Sequence, residues 1–107
     1  MKIQVSGQNI QTGEALQTKV REKIESISEK YDVRATTATV VFVKSHGTIE
    51  CKITAHAPSE DFTCHGSHSL APEAFDDAAE KLEKHWRRHM RRIKENRAER
   101  NKEAHLD

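Results

Sequence analysis

The sequence predicts an α+β two-layer domain of order β-α-β-β-β-α, a four-stranded mixed sheet with two helices packed on one face. Two observations carry this. Apolar residues recur at three- and four-residue steps in two segments, and β-branched or alternating runs occupy the stretches between and before them. Each helical segment has a single apolar stripe, so both helices need the same thing, one apolar sheet face, and the other sheet face is left to water.

The opening KIQVSG alternates apolar Ile3 and Val5 with polar Lys2, Gln4 and Ser6, a half-buried strand that Gly7 is expected to end. Thr12 is placed to cap a helix running to about Lys30, in which Leu16, Val20, Ile24, Ile27 and Tyr31 form the stripe. The run ATTATVVFVK, from Ala35 to Lys44, reads as a second and central strand; both of its alternating sets are apolar, which leaves its inward face open. After the turn Ser45-His46-Gly47-Thr48, Ile49, Cys51, Ile53 and Ala55 share one face of a third strand. Pro58, Ser59 and Glu60 turn the chain into a fourth strand carrying Phe62, Cys64 and Gly66. Pairing Ala55 with Phe62 sets Ile53 against Cys64 and Cys51 against Gly66, so the sulfurs are diagonal neighbours roughly 7–8 Å apart, and both are expected as thiols. Pro72 suits the first turn of a long helix with the stripe Phe75, Ala78, Leu82, Trp86, His89 and Ile93. A helix crossover makes the first two strands parallel if they are neighbours, and hairpins make the later ones antiparallel.

A chain of 107 residues has room for one domain, expected over 1–95, with 96–107 as a polar extension or tail. No segment is apolar enough to span a membrane, and the N-terminus lacks a signal-peptide pattern, so the expected location is cytoplasmic. The formal net charge of +1 conceals a split. Residues 1–83 hold nine Lys and Arg against thirteen Asp and Glu, whereas residues 84–107 hold nine against four. On the second helix Glu73, Asp76, Asp77, Glu80 and Glu83 precede Lys84, Arg87, Arg88, Arg91, Arg92 and Lys94. On the first, Lys19, Lys23 and Lys30 share one flank of the stripe, and Glu22, Glu25 and Glu29 face away. If the lysine flank meets the basic half of the second helix, one extended positive surface results. Such stripes can also be ordinary solvated faces. Four arginines in six residues exceed what a helix dipole or solubility asks for, and arginine suits bidentate phosphate contact, which points to a structured RNA backbone.

Catalytic and metal readings are weaker. His56, His65 and Asp61 fall on the outer sheet face, where a His–Asp pair beside the hairpin resembles part of a relay, but no activated Ser, Cys or Thr stands with it. His85 and His89 have the one-turn spacing of metal ligands; His89 belongs to the stripe, so packing is expected instead. Trp86 is read as core.

The opening MKIQVSG, the helix GEALQTKVREKIESISEKY, the strand pair ending in Gly66 and, most specifically, FDDAAEKLEKHWRRHMRRIKEN resemble the bacterial ribosome hibernation promoting factors and the related ribosome-associated inhibitors, over about residues 1–95. Leu70 and Pro72 depart from the family pattern, which often has an acidic residue and a tyrosine there. The resemblance implies a fold similar to double-stranded RNA-binding domains and a protein that occupies the decoding channel of the small ribosomal subunit in stationary phase or stress, silencing translation by occlusion. It implies ribosomal RNA contacts at Lys19, Lys23, Lys30, Lys84, Arg87, Arg88, Arg91, Arg92 and Lys94, and no cofactor, metal or catalytic residue. The expected partner is the small subunit, its RNA and proteins, and the chain off the ribosome is expected to be a monomer that does not itself pair ribosomes. The nearest alternative is a general module for double-stranded or structured RNA.

Overall fold

The computed structural model runs β1 (Lys2–Gln8), α1 (Glu14–Lys30), β2 (Thr37–Ser45), β3 (Thr48–His56), β4 (Asp61–His68) and α2 (Ala71–Leu106). Side chains are described for residues 1–31, 33, 35–58 and 60–90, and residues 91–106 only as part of α2. The expectation of a polar tail over 96–107, and the place of Ile93 in the stripe, lie outside the described residues.

The element order is the one the periodicities predict. The sheet is ordered β1-β2-β3-β4, with β1 parallel to β2 and the other pairs antiparallel. Parallel pairing of β1 and β2 follows from the α1 crossover between them. The inward face of β2, ambiguous in sequence, is decided by its neighbours: Val40 sits between Val5 and Ile53, and Phe42 lies opposite Cys51. Ala38, Val40 and Phe42 are therefore buried, while Thr39, Val41 and Val43 face outward and are half-buried. The β3–β4 register has Ala55 opposite Phe62, Ile53 opposite Cys64 and Cys51 opposite Gly66, and both cysteines are free and buried thiols.

Two local expectations are corrected. Gly7 does not end β1; it pairs with Phe42 inside a strand that continues to Gln8. A Cβ at Gly7 would lie 2.5 Å from the carbonyl oxygen of Ile10, so glycine there serves the tight return of the chain after the strand. Thr12 is not the cap of α1 either. Gly13 holds the N-cap position with no side-chain cap, and Thr12 instead accepts a hydrogen bond at its carbonyl from Gln17 Nε2, at 3.0 Å.

α2 is drawn close to the sheet by small residues. A Cβ on Gly66 would come within 2.2 Å of the Ala74 carbonyl oxygen and 2.5 Å of the Ala78 nitrogen. Just below, the Cys64 thiol donates to the Ala78 carbonyl at 3.3 Å. Ala74, Phe75, Ala78, Ala79, Leu82 and Trp86 are all buried, a stripe widened by Ala74 and Ala79 beyond the one read from sequence. Against the same sheet face α1 buries Val20, Ile24 and Ile27, and Ser28, also buried, donates to the Val33 carbonyl at 2.7 Å. The row Lys2, Thr37, His56 and Asp61 crosses one end of the sheet, and the last turn of α1 and the β3–β4 turn share that end.

Candidate nucleic-acid interface

The outer surface of α2 is built by its own stripe. Because Phe75, Ala78, Leu82 and Trp86 must face the sheet, the residues between them are turned to solvent, and the order of charges in sequence becomes an order in space. Glu73, Asp76 and Glu80 are exposed on the N-terminal half, and Lys84, Arg87 and Arg88 are exposed on the turns that follow. None of these three cations pairs with a described carboxylate. Lys81, by contrast, is committed internally: its ammonium donates to the His65 carbonyl at 2.6 Å and lies 3.6 Å from Asp77. Arg91, Arg92 and Lys94 continue the run in sequence, but their side chains lie outside the described residues.

The lysine flank of α1 does not meet the described part of this basic half, the condition for one extended positive surface. It packs against the acidic half of α2. Lys19 Nζ lies 3.1 Å from Asp76 Oδ2, and Lys30 Nζ lies 3.1 Å from Glu83 Oε1, which also accepts from the Tyr31 hydroxyl at 3.0 Å. The Lys30 ammonium stands 5.3 Å from the centre of the Tyr31 ring. The hydrogen bond from Lys30, then that from Tyr31, holds the Glu83 carboxyl below its ordinary range, with Lys23 adding to the positive field, and the Lys30 ammonium is raised in return. The reason is geometric. Both helices lie on one sheet face, and α1 from Lys19 to its last residue, Lys30, runs beside Asp76 to Glu83, so α1 ends about where the acidic half of α2 does. Lys19 and Lys30 are therefore paired with carboxylates, Lys23 stays exposed, and on α2 the exposed cations with no described carboxylate partner begin at Lys84.

A second cluster adjoins the basic turns and was not legible in sequence. Glu60, in the β3–β4 turn, takes a short hydrogen bond from Nε2 of His85 and lies 3.4 Å from Nδ1 of His89. The His85 ring stacks on Phe62 with centroids 3.7 Å apart and planes within 1°. The spacing of the two histidines is visible in sequence, but nothing there brings Glu60 to them. Their rings lie parallel with centres 6.4 Å apart, and among the described residues no group of three or more His, Cys, Asp or Glu is disposed to hold a metal ion.

The outer sheet face has the residues expected of it. His56 Nδ1 lies 3.0 Å from Asp61 Oδ1, with both side chains widely open to solvent, and His65 stands opposite Lys52. The cysteines are on the other face, where burial pushes the thiols of Cys51 and Cys64 up to about 12 and about 11. Neither supplies a thiolate at neutral pH, so the imidazole–carboxylate pair has no activated sulfur beside it. No described helix is long and apolar enough to cross a membrane.

Fold and surface together define a two-layer domain in which α2 carries an exposed run of cations, Lys84, Arg87 and Arg88, directly after an acidic half. The chain belongs to the Sigma 54 modulation protein / S30EA ribosomal protein family, whose model matches residues 3–94. It is 27% identical over 96 residues to the ribosome hibernation promotion factor of Rhizobium meliloti (strain 1021), a match covering 89% of this chain and 50% of that protein. The chain thus spans about half the length of the curated relative it matches. In fold it is similar to the N-terminal domain of Protein Y from Thermus thermophilus, with a TM-score of 0.75 at 21% identity, covering 83% of this chain and 99% of that one. A ribosomal subunit interface protein from Coxiella burnetii gives a TM-score of 0.76 at 18% identity, covering 83% and 97%. The family resemblance read from the motifs and the β-α-β-β-β-α fold are both borne out.

Proposed function

We propose that residues 1–95 form a ribosome hibernation domain that binds the small ribosomal subunit at its decoding channel and inhibits translation by occlusion in stationary phase or stress. The observation that carries this is the exposed run Lys84, Arg87 and Arg88, which no described carboxylate offsets, on a chain of this family. Phosphate contacts from that run, continued in sequence by Arg91, Arg92 and Lys94, supply affinity, and the shape of the channel supplies specificity. Lys23 extends the footprint onto α1. Lys19 and Lys30 contribute only where RNA phosphates compete with Asp76 and Glu83.

The function needs binding alone: no step calls for a cofactor, a metal or a catalytic residue, and the chain acts as a cytoplasmic monomer. The test is co-sedimentation of the purified chain with small subunits, large subunits and vacant ribosomes, with a generic RNA duplex as competitor. Retention on small subunits against excess duplex is the expected result. Complete displacement by the duplex would favour a general structured-RNA module instead.

A further inference from the structure

Glu60, His85 and His89 stand at the point where α2 turns basic, and the interface reading above leaves them without a role. His85 directly follows Lys84, and His89 directly follows Arg88. Both imidazoles are mostly buried, with side-chain exposures of 22% and 18%, and both approach the same carboxylate oxygen, Oε1 of Glu60.

We propose that Glu60, His85 and His89 form a proton-responsive element that strengthens the RNA interface of α2 as pH falls, a regulation that rests on the interface reading above. The charge count is simple. With both imidazoles neutral the cluster carries −1, from Glu60; with both protonated it carries +1. Two positive charges are thereby added within one residue of Lys84 and Arg88, on a surface whose affinity for polyanions is set by charge. Histidine is the side chain whose unperturbed charge change falls between about pH 5 and 8.

Groups of both signs stand near the two rings. From the β3–β4 turn, the Glu60 carboxylate meets both rings, and the face of Phe62 stacks on His85. Along α2, Lys81, Lys84 and Arg88 lie within a turn of the histidines in sequence. Asp61 and His56 pair with each other on the opposite sheet face, and α1 presents Lys30 to Glu83 on a different flank of α2. An RNA backbone seated on the basic turns brings negative charge beside the rings and so favours their protonated forms in the complex. Binding then takes up protons, and by linkage lower pH tightens binding. An imidazole that holds its proton up to about ten-fold more tightly in the complex contributes up to about ten-fold in affinity.

The experiment measures Kd of the 107-residue chain for purified small subunits at pH 6.0 and 8.0 and constant ionic strength, for wild type, His85→Gln/His89→Gln, and His56→Gln/His65→Gln as a control for the outer-face histidines. The expected result is that wild type gains about three- to ten-fold at pH 6.0 over any change the His85/His89 variant shows, that the two agree at pH 8.0, and that the control follows wild type. Because His85 packs on Phe62, a second readout uses wild type alone: calorimetry at pH 6.5 in two buffers of different ionisation enthalpy should register net proton uptake on binding. Binding without proton uptake, or with the same pH dependence in wild type and the His85/His89 variant, overturns the proposal and leaves the interface reading standing. Failure of wild type to bind at either pH overturns the interface reading itself, and the proposal with it.

Discussion

Lys30 Nζ lies 3.1 Å from Oε1 of Glu83, and this ion pair marks the place where α2 changes sign. On its N-terminal side, Asp76 and Glu83 take up the lysines of α1; the next residue, Lys84, opens the exposed basic run. Net charge alone, at +1, would not suggest a polyanion-binding protein, because the acidic half of α2 and the body of the domain nearly cancel the basic half in the total. Separation along one helix keeps the two signs from cancelling in space.

Binding should follow the exposed run. Arg87→Glu/Arg88→Glu is expected to abolish association with small subunits, and Arg91→Glu/Arg92→Glu to do the same. The melting temperature of the Arg87/Arg88 variant should stay close to wild type, since exposed substitutions cost within about 0.5 kcal/mol. With about six phosphates neutralised, log affinity should fall against log salt with a slope of roughly −4 to −5. Undiminished binding by either variant at moderate salt contradicts the assignment.

The outer-face histidines should be dispensable. His56→Ala and His65→Ala remove exposed side chains and are each expected to shift stability by less than about 0.5 kcal/mol, with translation inhibition retained. Loss of inhibition in a variant shown by circular dichroism to be folded would reopen a ligand or catalytic role for that face.

Glu83 should contribute to acid sensitivity. Its carboxyl is held below the ordinary range in the folded chain, chiefly by the hydrogen bond from Lys30. A carboxyl depressed on folding adds stability above its unfolded pKa, about 4.3, and withdraws it as pH falls through the folded value. Glu83→Gln should therefore narrow the difference between urea midpoints at pH 7 and pH 3, by a small amount for a pair this near the surface. An unchanged difference would show that the pair is energetically silent.

Gly66→Ala should be among the most damaging single-methyl changes. The added Cβ meets backbone atoms of Ala74 and Ala78, which cannot rotate aside, so α2 must lift from β4. Overpacking of this kind costs about 3 kcal/mol, or roughly 10 °C or more in melting temperature for a domain of this size. A near-native melting curve would mean that α2 can shift at little cost.

The two thiols should be silent in the native state. Cys51 and Cys64 are buried, with thiols raised to about 12 and about 11, so an aromatic disulfide reagent at pH 8 should label them only as fast as the chain opens. For groups whose folded pKa is raised, stability is fully present below the unfolded value, about 8.5, and is lost as pH rises towards the folded ones. Alkaline unfolding beginning above about pH 9 is the expected companion result. Rapid labelling at pH 8 without unfolding would contradict the burial of both.

Element order, the apolar stripes of α1 and α2, the face of β3 and the charge split of α2 were legible in the sequence alone. Each is a pattern that repeats within a few residues, because the periods of about 3.6 and 2 are properties of the local backbone. The register of Cys51 against Gly66 was legible too, since a single hairpin turn sets it. Only the tertiary structure decided which side of β2 faces the core, that Lys19 and Lys30 meet Asp76 and Glu83 and not the arginines, that Gly66 sits under Ala74 and Ala78, and that Glu60 reaches His85. These relationships join residues 53 and 57 positions apart in the α1–α2 pairs, and 25 apart for Glu60 and His85. No local period encodes them: they depend on how far along the shared sheet face each helix lies, which the packing of whole elements sets.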